Sequence, residues 1–457
     1  MAETYVNFLG GSPLNRLSWL RTSQSFLNSI AASPATRWIV FKRGEPLIVS
    51  RVDSGVSLAR LTTADVRPLL GSEPFFGQGQ NDGEIAAPDV HVLEAARFRG
   101  APIVFLGLDE PLGDSALALP PPTSDVNSGS QDPQVTAHNF KGTPYFSLDV
   151  SGVTDAEIEA VLQGSEAGNG AQIQFSEPRA ATRGFSMFDA ALFASARSMV
   201  DWNDRNKFCA GCGSPVYSLW AGWKLTCSSL VPWADNRNRK PCPTVKGLHN
   251  FQHPRTDAVV IMAVVNEADD KILLGRNKKF PAKFYSTLAG FMEPGESFED
   301  AVKREIWEEA GVKVWNVTYH STQPWPYPAS LMIGFYATGD PAQPIRTDLD
   351  NELDDAQWFT REQVLAVLAH EEGTTFTRKD YKQMNDIVDG KNSAQDVDAL
   401  AGDAAANVAA QLKPARPTVE ELAFRVPPIS AIAGVLIYEW AHGKPPPVPA
   451  AVPKGRM

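Results

Sequence analysis

The chain has 457 residues, 43% of them hydrophobic, which is enough for about two to four packed domains and unlike a disordered or fibrous composition. Its 53 acidic and 42 basic side chains leave a net charge of −11. That balance argues against a general nucleic-acid or membrane-surface binder, which gains affinity from excess Lys and Arg. No apolar run reaches the ~20 residues of a membrane span, and MAETYVNFLGGSPLNRLSWL lacks a charged start followed by an apolar core, so a soluble, unsecreted protein is expected.

Residues 1–185 read as a mixed α/β domain. Stretches 38–41 and 47–49 predict a hairpin about Arg43-Gly44-Glu45, 103–106 a further strand and 155–162 a short helix. His91 and His138 stand alone, and 113–137, rich in Pro, Ser, Gly and Asp, predict a long flexible excursion. Ala190, Ala191, Phe193, Ala194 and Met199 are spaced for the buried face of a helix over 188–206, which feeds into Cys209.

All four cysteines lie between 209 and 242, and such clustering favours a metal over disulfides. Cys209-Ala-Gly-Cys212-Gly is a knuckle turn whose glycines let backbone N–H groups point at thiolates, and Cys227 and Cys242 complete a tetrahedral set for one structural Zn²⁺. Residues 228–241 separate the second pair, an inserted loop by this reading, and His249 or His253 in place of one cysteine stays open.

Beyond 253 the chain alternates strands and turns. Residues 258–265 and 272–274 predict a hairpin, 284–288 a strand entering the next helix, and 314–321 and 330–337 two more strands of a mixed sheet. A glycine turn, Gly290 to Gly295, leads to Glu296, and Ser297 caps a helix with Asp300 at its third position and Gly311 as its stop. On that helix Glu305, Glu308 and Glu309 fall within an arc of about 100°, continuing the face begun by Phe298 and Ala301. Carboxylates crowded at these spacings repel unless cations hold them, and hard oxygen donors suit Mg²⁺ or Mn²⁺, two or three ions here. Arg304 is placed to orient Glu296 or a neighbouring carboxylate. Gln323-Pro324-Trp325-Pro326-Tyr327-Pro328-Ala329-Ser330 predicts a stiff, extended loop with two aromatic faces. An acidic run covers 348–355, and 389–417 predict an inserted linker. Pro427 and Pro428 start a predicted helix over 429–441 whose Ile432, Leu436 and Trp440 cover the other face of the sheet, before a proline-rich disordered tail at 443–457.

Gly290, five residues, Glu296, seven residues, then Arg304-Glu305-Ile306-Trp307-Glu308-Glu309-Ala310-Gly311-Val312 resembles the Nudix box at every defined position. The 323–330 loop resembles that of NADH pyrophosphatases, the Nudix branch with a Cys₄ zinc ribbon and a preceding N-terminal domain. The resemblance implies a Nudix α/β/α sandwich with a mixed sheet at 253–442, a helix and zinc ribbon at 186–252 and an N-terminal α/β domain at 1–185. It also implies hydrolysis of the NAD(H) diphosphate bond to nicotinamide mononucleotide and AMP by metal-activated water. Glu305, Glu309, Glu352 and the carbonyl of Ala289 match metal ligands of the family, with Glu308 beside them. Phe291, residues 323–330 and Ala433 match substrate contacts. His253 stands where the family commonly has a tyrosine, so stacking on a base there is weakened. Glu308 or Glu309 would take the proton of the water. NAD-cap removal from RNA and a non-catalytic NAD(H) sensor are the alternatives, although a sensor would have lost box glutamates. The residues leave a homodimer open. Gly455-Arg456-Met457 resembles an imperfect peroxisomal address, so peroxisome and cytoplasm both stand as expectations.

Overall fold

The computed structural model describes residues 6–110, 142–245, 254–375 and 422–444, apart from 52, 54, 88, 89, 166, 168–170, 279, 282, 351 and 371. The expected excursion at 113–137, His138, His249, His253, the linker at 389–417 and the tail beyond Lys444 lie outside these residues. The chain divides into two compact units. One holds Phe8–Asp257 with Pro324–Leu331, and the other holds Ala258–Gln323 with Met332–Val448.

The first unit contains strands β1 (Leu14–Asn15), β2 (Arg37–Lys42), β3 (Glu45–Arg51), β4 (Gly55–Leu58), β5 (Leu61–Thr62), β6 (Ile103–Asp109), β7 (Thr143–Asp149) and β8 (Gln172–Phe175). Its longer helices are α1 (Gln24–Ala32), α2 (Asp155–Gly164) and α3 (Met187–Arg205). The sheet runs β1-β6-β7-β2-β3-β4, with β5 on β2 and β8 on β3. It is mixed, because β2 pairs β7 in parallel and β3 antiparallel. Alternation along β2 sends Trp38 and Val40 into a core shared with Phe26 and Ile30 of α1 and Ile158 and Val161 of α2. Ile39 and Phe41 point the other way, into a core with Ala190, Phe193 and Val200 of α3. Helices thus cover both faces of the sheet. A small antiparallel pair, β9 (Val216–Leu219) with β10 (Lys224–Cys227), follows α3.

The second unit is built on β11 (Asp257–Val265), β12 (Lys271–Asn277), β13 (Leu288–Phe291), β14 (Val314–Trp325), β15 (Ser330–Gly339) and β16 (Leu353–Thr360). The sheet order is β14-β15-β11-β12-β16, with β13 on β11. Helices α4 (Phe298–Ala310), α5 (Arg361–Ala369) and α6 (Ile432–His442) complete it. Ile261, Ala263, Ile272 and Leu274 form a core with Val364 and Val367 of α5 and Ile432, Leu436 and Trp440 of α6. On the opposite face, Val264 and Val312 approach the same Gly339, just beyond the C-terminus of α4. The result is an α/β/α sandwich.

The expected hairpins are present with longer strands, and the strand expected at 284–288 is displaced. Phe284 bridges Arg425 and Ser286 bridges Gly275, and regular pairing begins only at Leu288. Two separate partners hold this stretch, so it cannot lie in one ladder. The C-terminal helix starts at Ile432, later than expected, because the N–H of Ala431 closes a turn on the carbonyl of Pro428 at 2.9 Å. Helix α1 and strands β7, β8 and β16, with α5 behind them, carry no clear periodic signal and were not expected.

Candidate active site

Helix α4 is set at both ends by its sequence. Ser297 Oγ accepts the N–H of Asp300 at 3.2 Å, and Gly311 ends the helix in the left-handed region at φ 68°. A Cβ on Gly311 would lie 2.6 Å from the Cβ of Arg346, so space and φ both call for glycine. Strand β13 delivers Ala289 and Gly290 to the glutamate face. A Cβ on Gly290 would lie 1.9 Å from Glu305 Cδ, so the carboxylate occupies the space that any side chain there would need.

Arg304 is the hub. Its Nε and Nη2 donate to the two oxygens of Glu296 at 2.5 and 2.9 Å. Nη1 donates to Glu305 and Glu308, both at 2.8 Å, and Nη2 also to the carbonyl of Phe291 at 2.9 Å. One planar guanidinium therefore orders three carboxylates and the end of β13. The Arg304 fork and the N–H of Glu293 hold the carboxyl of Glu296 down to about 2.

Glu309 is buried at 5% exposure. Burial raises its pKa well above the usual carboxylate value, and Glu305, Asp350 and Glu352 raise it further, opposed by a hydrogen bond from the backbone of Ala289. Burial also raises Glu305, against the pull of Arg304. Glu352 is exposed at the start of β16, where its carbonyl accepts the N–H of Lys278 at 3.3 Å. Among the described residues the charges that act on Glu309 are acidic, and Arg304 is bonded to Glu296, Glu305 and Glu308 instead. Carboxylate oxygens are the donors that hard divalent cations take. The structure brings Ala289, Glu296, Arg304, Glu305, Glu308, Glu309 and Glu352 together. It adds Asp350, which the acidic run at 348–355 contains but which no spacing singles out.

The expected substrate loop is placed differently along its length. Gln323 is buried, its Oε1 accepting the N–H of Ile432 and its Nε2 donating to the carbonyl of Ser430, both at 2.8 Å. The amide thereby fixes the start of α6, next to the buried Ala433. Pro324 to Ser330 turn within the first unit. The guanidinium groups of Arg179 and Arg197 lie 4.5 and 5.2 Å from the centroid of the Tyr327 ring, and Arg197 also donates to the carbonyl of Pro326. Trp325 meets Tyr327 edge-on at 5.1 Å. Pro328 follows a cis bond, Ala329 accepts the N–H of Asp257 at 3.0 Å, and Ser330 is buried. Phe291 is 61% exposed and free to receive a planar group.

The four cysteine sulfurs lie within 4.8 Å of one another, with Cys209 to Cys242 at 3.7 Å and Cys212 to Cys227 at 3.4 Å. Zn–S bonds of about 2.3 Å in a tetrahedron require S···S separations of about 3.8 Å, so the set fits Zn²⁺. The N–H groups of Cys212 and Gly213 both close on the carbonyl of Cys209, making the knuckle. Hydrogen bonds from Ser214 draw the Cys212 thiol down to about 6, while burial pushes Cys227 up to about 12. Ser229 and Thr244 hydroxyls reach Cys227 and Cys242 at 2.9 Å each.

A NUDIX domain model matches residues 254–379. The NAD-capped RNA hydrolase of Schizosaccharomyces pombe is 34% identical over 361 residues, covering 79% of this chain and 85% of that protein. The NAD-capped RNA hydrolase of Saccharomyces cerevisiae is 34% identical, covering 80% and 88%. That of Homo sapiens is 32% identical, covering 80% and 69%.

Proposed function

Because this chain belongs to the Nudix hydrolases, in the NADH-pyrophosphatase branch that holds the NAD-capped RNA hydrolases, we propose that it cleaves the diphosphate bond of NAD(H). The products are nicotinamide mononucleotide and AMP from the free dinucleotide. Where NAD caps RNA, the second product is RNA with a 5′ monophosphate. The names of the relatives favour the capped substrate, and the chemistry at the bond is the same for both.

The observation that carries this reading is the buried Glu309 beside Glu305, with Asp350 and Glu352 in range and Arg304 committed elsewhere. Bound Mg²⁺ or Mn²⁺, two or three ions per site, supplies charge neutralisation of the diphosphate and an activated water. Glu305, Glu308, Glu309 and Glu352, with the carbonyl of Ala289, would hold the ions. Arg304 keeps the oxygens of Glu305 and Glu308 turned to one side, so little reorganisation precedes binding of the anionic substrate. Glu296, held ionised by Arg304, keeps the guanidinium in that position. Glu308 or Glu309 takes the proton of the attacking water. Phe291 offers a face for a base or nicotinamide ring.

The test compares NADH, NAD⁺, ADP-ribose and an NAD-capped RNA side by side with Mg²⁺ and with Mn²⁺, separating products by chromatography. Nicotinamide mononucleotide is expected from NADH, in its reduced form, and from the capped RNA. Its absence from both would overturn the proposal.

A further inference from the structure

Away from the glutamate site, the first unit carries two arginines that its fold leaves without acidic partners. Arg16 donates to Ser195 Oγ at 2.7 Å and to the carbonyl of Leu106 at 3.2 Å. Arg21 lies over Trp223, its Cζ 3.8 Å from the ring centroid, and the Cζ of Arg16 lies 5.9 Å from the same centroid. Trp223 is itself fixed by its Nε1, which donates to the carbonyl of Phe105 at 2.7 Å. Among the described residues Arg21 makes one long hydrogen bond, 3.5 Å to the carbonyl of Arg16, and its buried Nε has no partner. The nearby carboxylate of Glu110 is taken by the side chain of Asn15 at 2.8 Å. Among the described residues neither arginine forms an ion pair. Burial, then the neighbouring charge of Arg16, lowers Arg21 to about 10.

Two cations held close together with unused donors cost free energy unless an anion joins them. The turn that creates the pair is itself strained: Leu17, between them, sits in the left-handed region at φ 43°. On that turn Trp19 is 52% exposed, an aromatic surface with no core to cover it. Planar guanidinium groups stacked on an indole, next to an open aromatic face, are what single-stranded nucleic acid binds: phosphates meet the donors and bases stack on the rings. The overall charge of −11 does not oppose a local site of this kind, since exposed charges are screened beyond about 8 Å at physiological salt.

We propose that Arg16, Trp19, Arg21 and Trp223 form a binding site for the phosphodiester backbone and bases of single-stranded RNA, which would hold the body of a capped transcript. The proposal rests on the reading of capped RNA as a substrate. It assigns affinity for the RNA chain to residues that take no part in hydrolysis.

The test uses the full chain, with fluorescence anisotropy of an uncapped, labelled oligoadenylate of about 12 nucleotides, a length within the 4–16 that such sites span. Trp19→Ala, a surface change, and Arg21→Gln are each expected to weaken binding by about fivefold or more. For both variants KM for NAD-capped RNA should rise by the same factor at unchanged kcat, while kcat and KM for NADH stay at wild-type values. Arg21→Lys keeps the charge and loses the planar stack, so it should fall between wild type and Arg21→Gln. Wild-type-like oligonucleotide binding by both Trp19→Ala and Arg21→Gln would overturn the site, as would no binding by the wild type. Equal changes on NADH and capped RNA would also overturn it, showing a structural role. Failure of the hydrolase reading shows separately, as no turnover of either substrate by a wild type that still binds the oligonucleotide.

Discussion

Glu309 is the side chain on which the proposed chemistry depends most, and its environment makes opposite demands with and without metal. In the metal-free fold its pKa lies well above the unfolded value, because it is buried and faces Glu305, Asp350 and Glu352. Between the unfolded value and the raised folded one, the native state binds more protons than the unfolded chain, so stability falls as pH rises through that window. Glu309→Gln removes this titration. The metal-free variant should therefore melt at or above the wild-type temperature from about pH 5 to pH 8, with a flatter pH dependence. The same variant should lose turnover by about 10²-fold or more and most of the stabilisation that Mg²⁺ confers. Thermal melts with and without Mg²⁺, with NADH hydrolysis, check all three, and near-normal activity would sink the assignment. Gly290 makes a complementary case. Gly290→Ala puts a methyl 1.9 Å from Glu305 Cδ and should lower kcat by moving that carboxylate, with little loss of secondary structure by circular dichroism. Arg304→Lys replaces a fork that meets Glu296, Glu305, Glu308 and Phe291 with a point charge, and the concentration of Mg²⁺ at half-maximal rate should rise.

At the scale of elements, α4 holds the glutamates in register because both of its ends are stopped. Ser297→Ala should cost about 1 kcal/mol through the lost cap. Gly311→Ala should cost about 1–2 kcal/mol from the left-handed backbone alone, with the approach of Arg346 adding to it. Each is read as a lowered denaturation midpoint at unchanged m-value. The β9-β10 hairpin depends on a different device. A pair of four-residue strands is too small to be stable alone: Tyr217 and Leu219 pack with Leu93 and Ala96, Arg97 bridges Ser218, and the four thiols close its base. Metal analysis should find about one equivalent of zinc, and chelation should lower the melting temperature. Less than about half an equivalent, with no loss of stability on chelation, would count against a zinc centre. Cys227→Ser should mimic the chelated state.

For the whole molecule, the sequence was most legible where local rules suffice. Ser297, Asp300 and Gly311 announce their helix by capping chemistry, and the 100° advance per residue places Glu305, Glu308 and Glu309 on one face before any coordinates exist. The Cys209 knuckle is legible because its glycine spacing is local. Helix α1 and strand β16 were not legible. The buried positions of β16, Leu353, Ala356 and Phe359, do not alternate: a bulge at Asp354 shifts the register with β12, and Ala356 and Phe359 face opposite sides of the sheet. A bulge is a property of pairing, and pairing is not local.

The sequence by itself determined the glutamate helix, its carboxylate face and the resemblance from which the bond to be cleaved is proposed. Only the tertiary structure decided what surrounds that face: that Glu309 is buried, that Gly290 yields its space to Glu305, and that Asp350 joins the cluster. Tertiary structure also decided that Gln323 serves the start of α6 and that Tyr327 meets both Arg179 and Arg197. The same holds for Arg16 and Arg21, which in the sequence are two charges among 42 and in the fold share one indole without an acid. The physical reason is common to all of these. Helix caps and periodicity act over a few residues of chain, whereas burial and electrostatic coupling depend on distances through space between segments far apart in sequence.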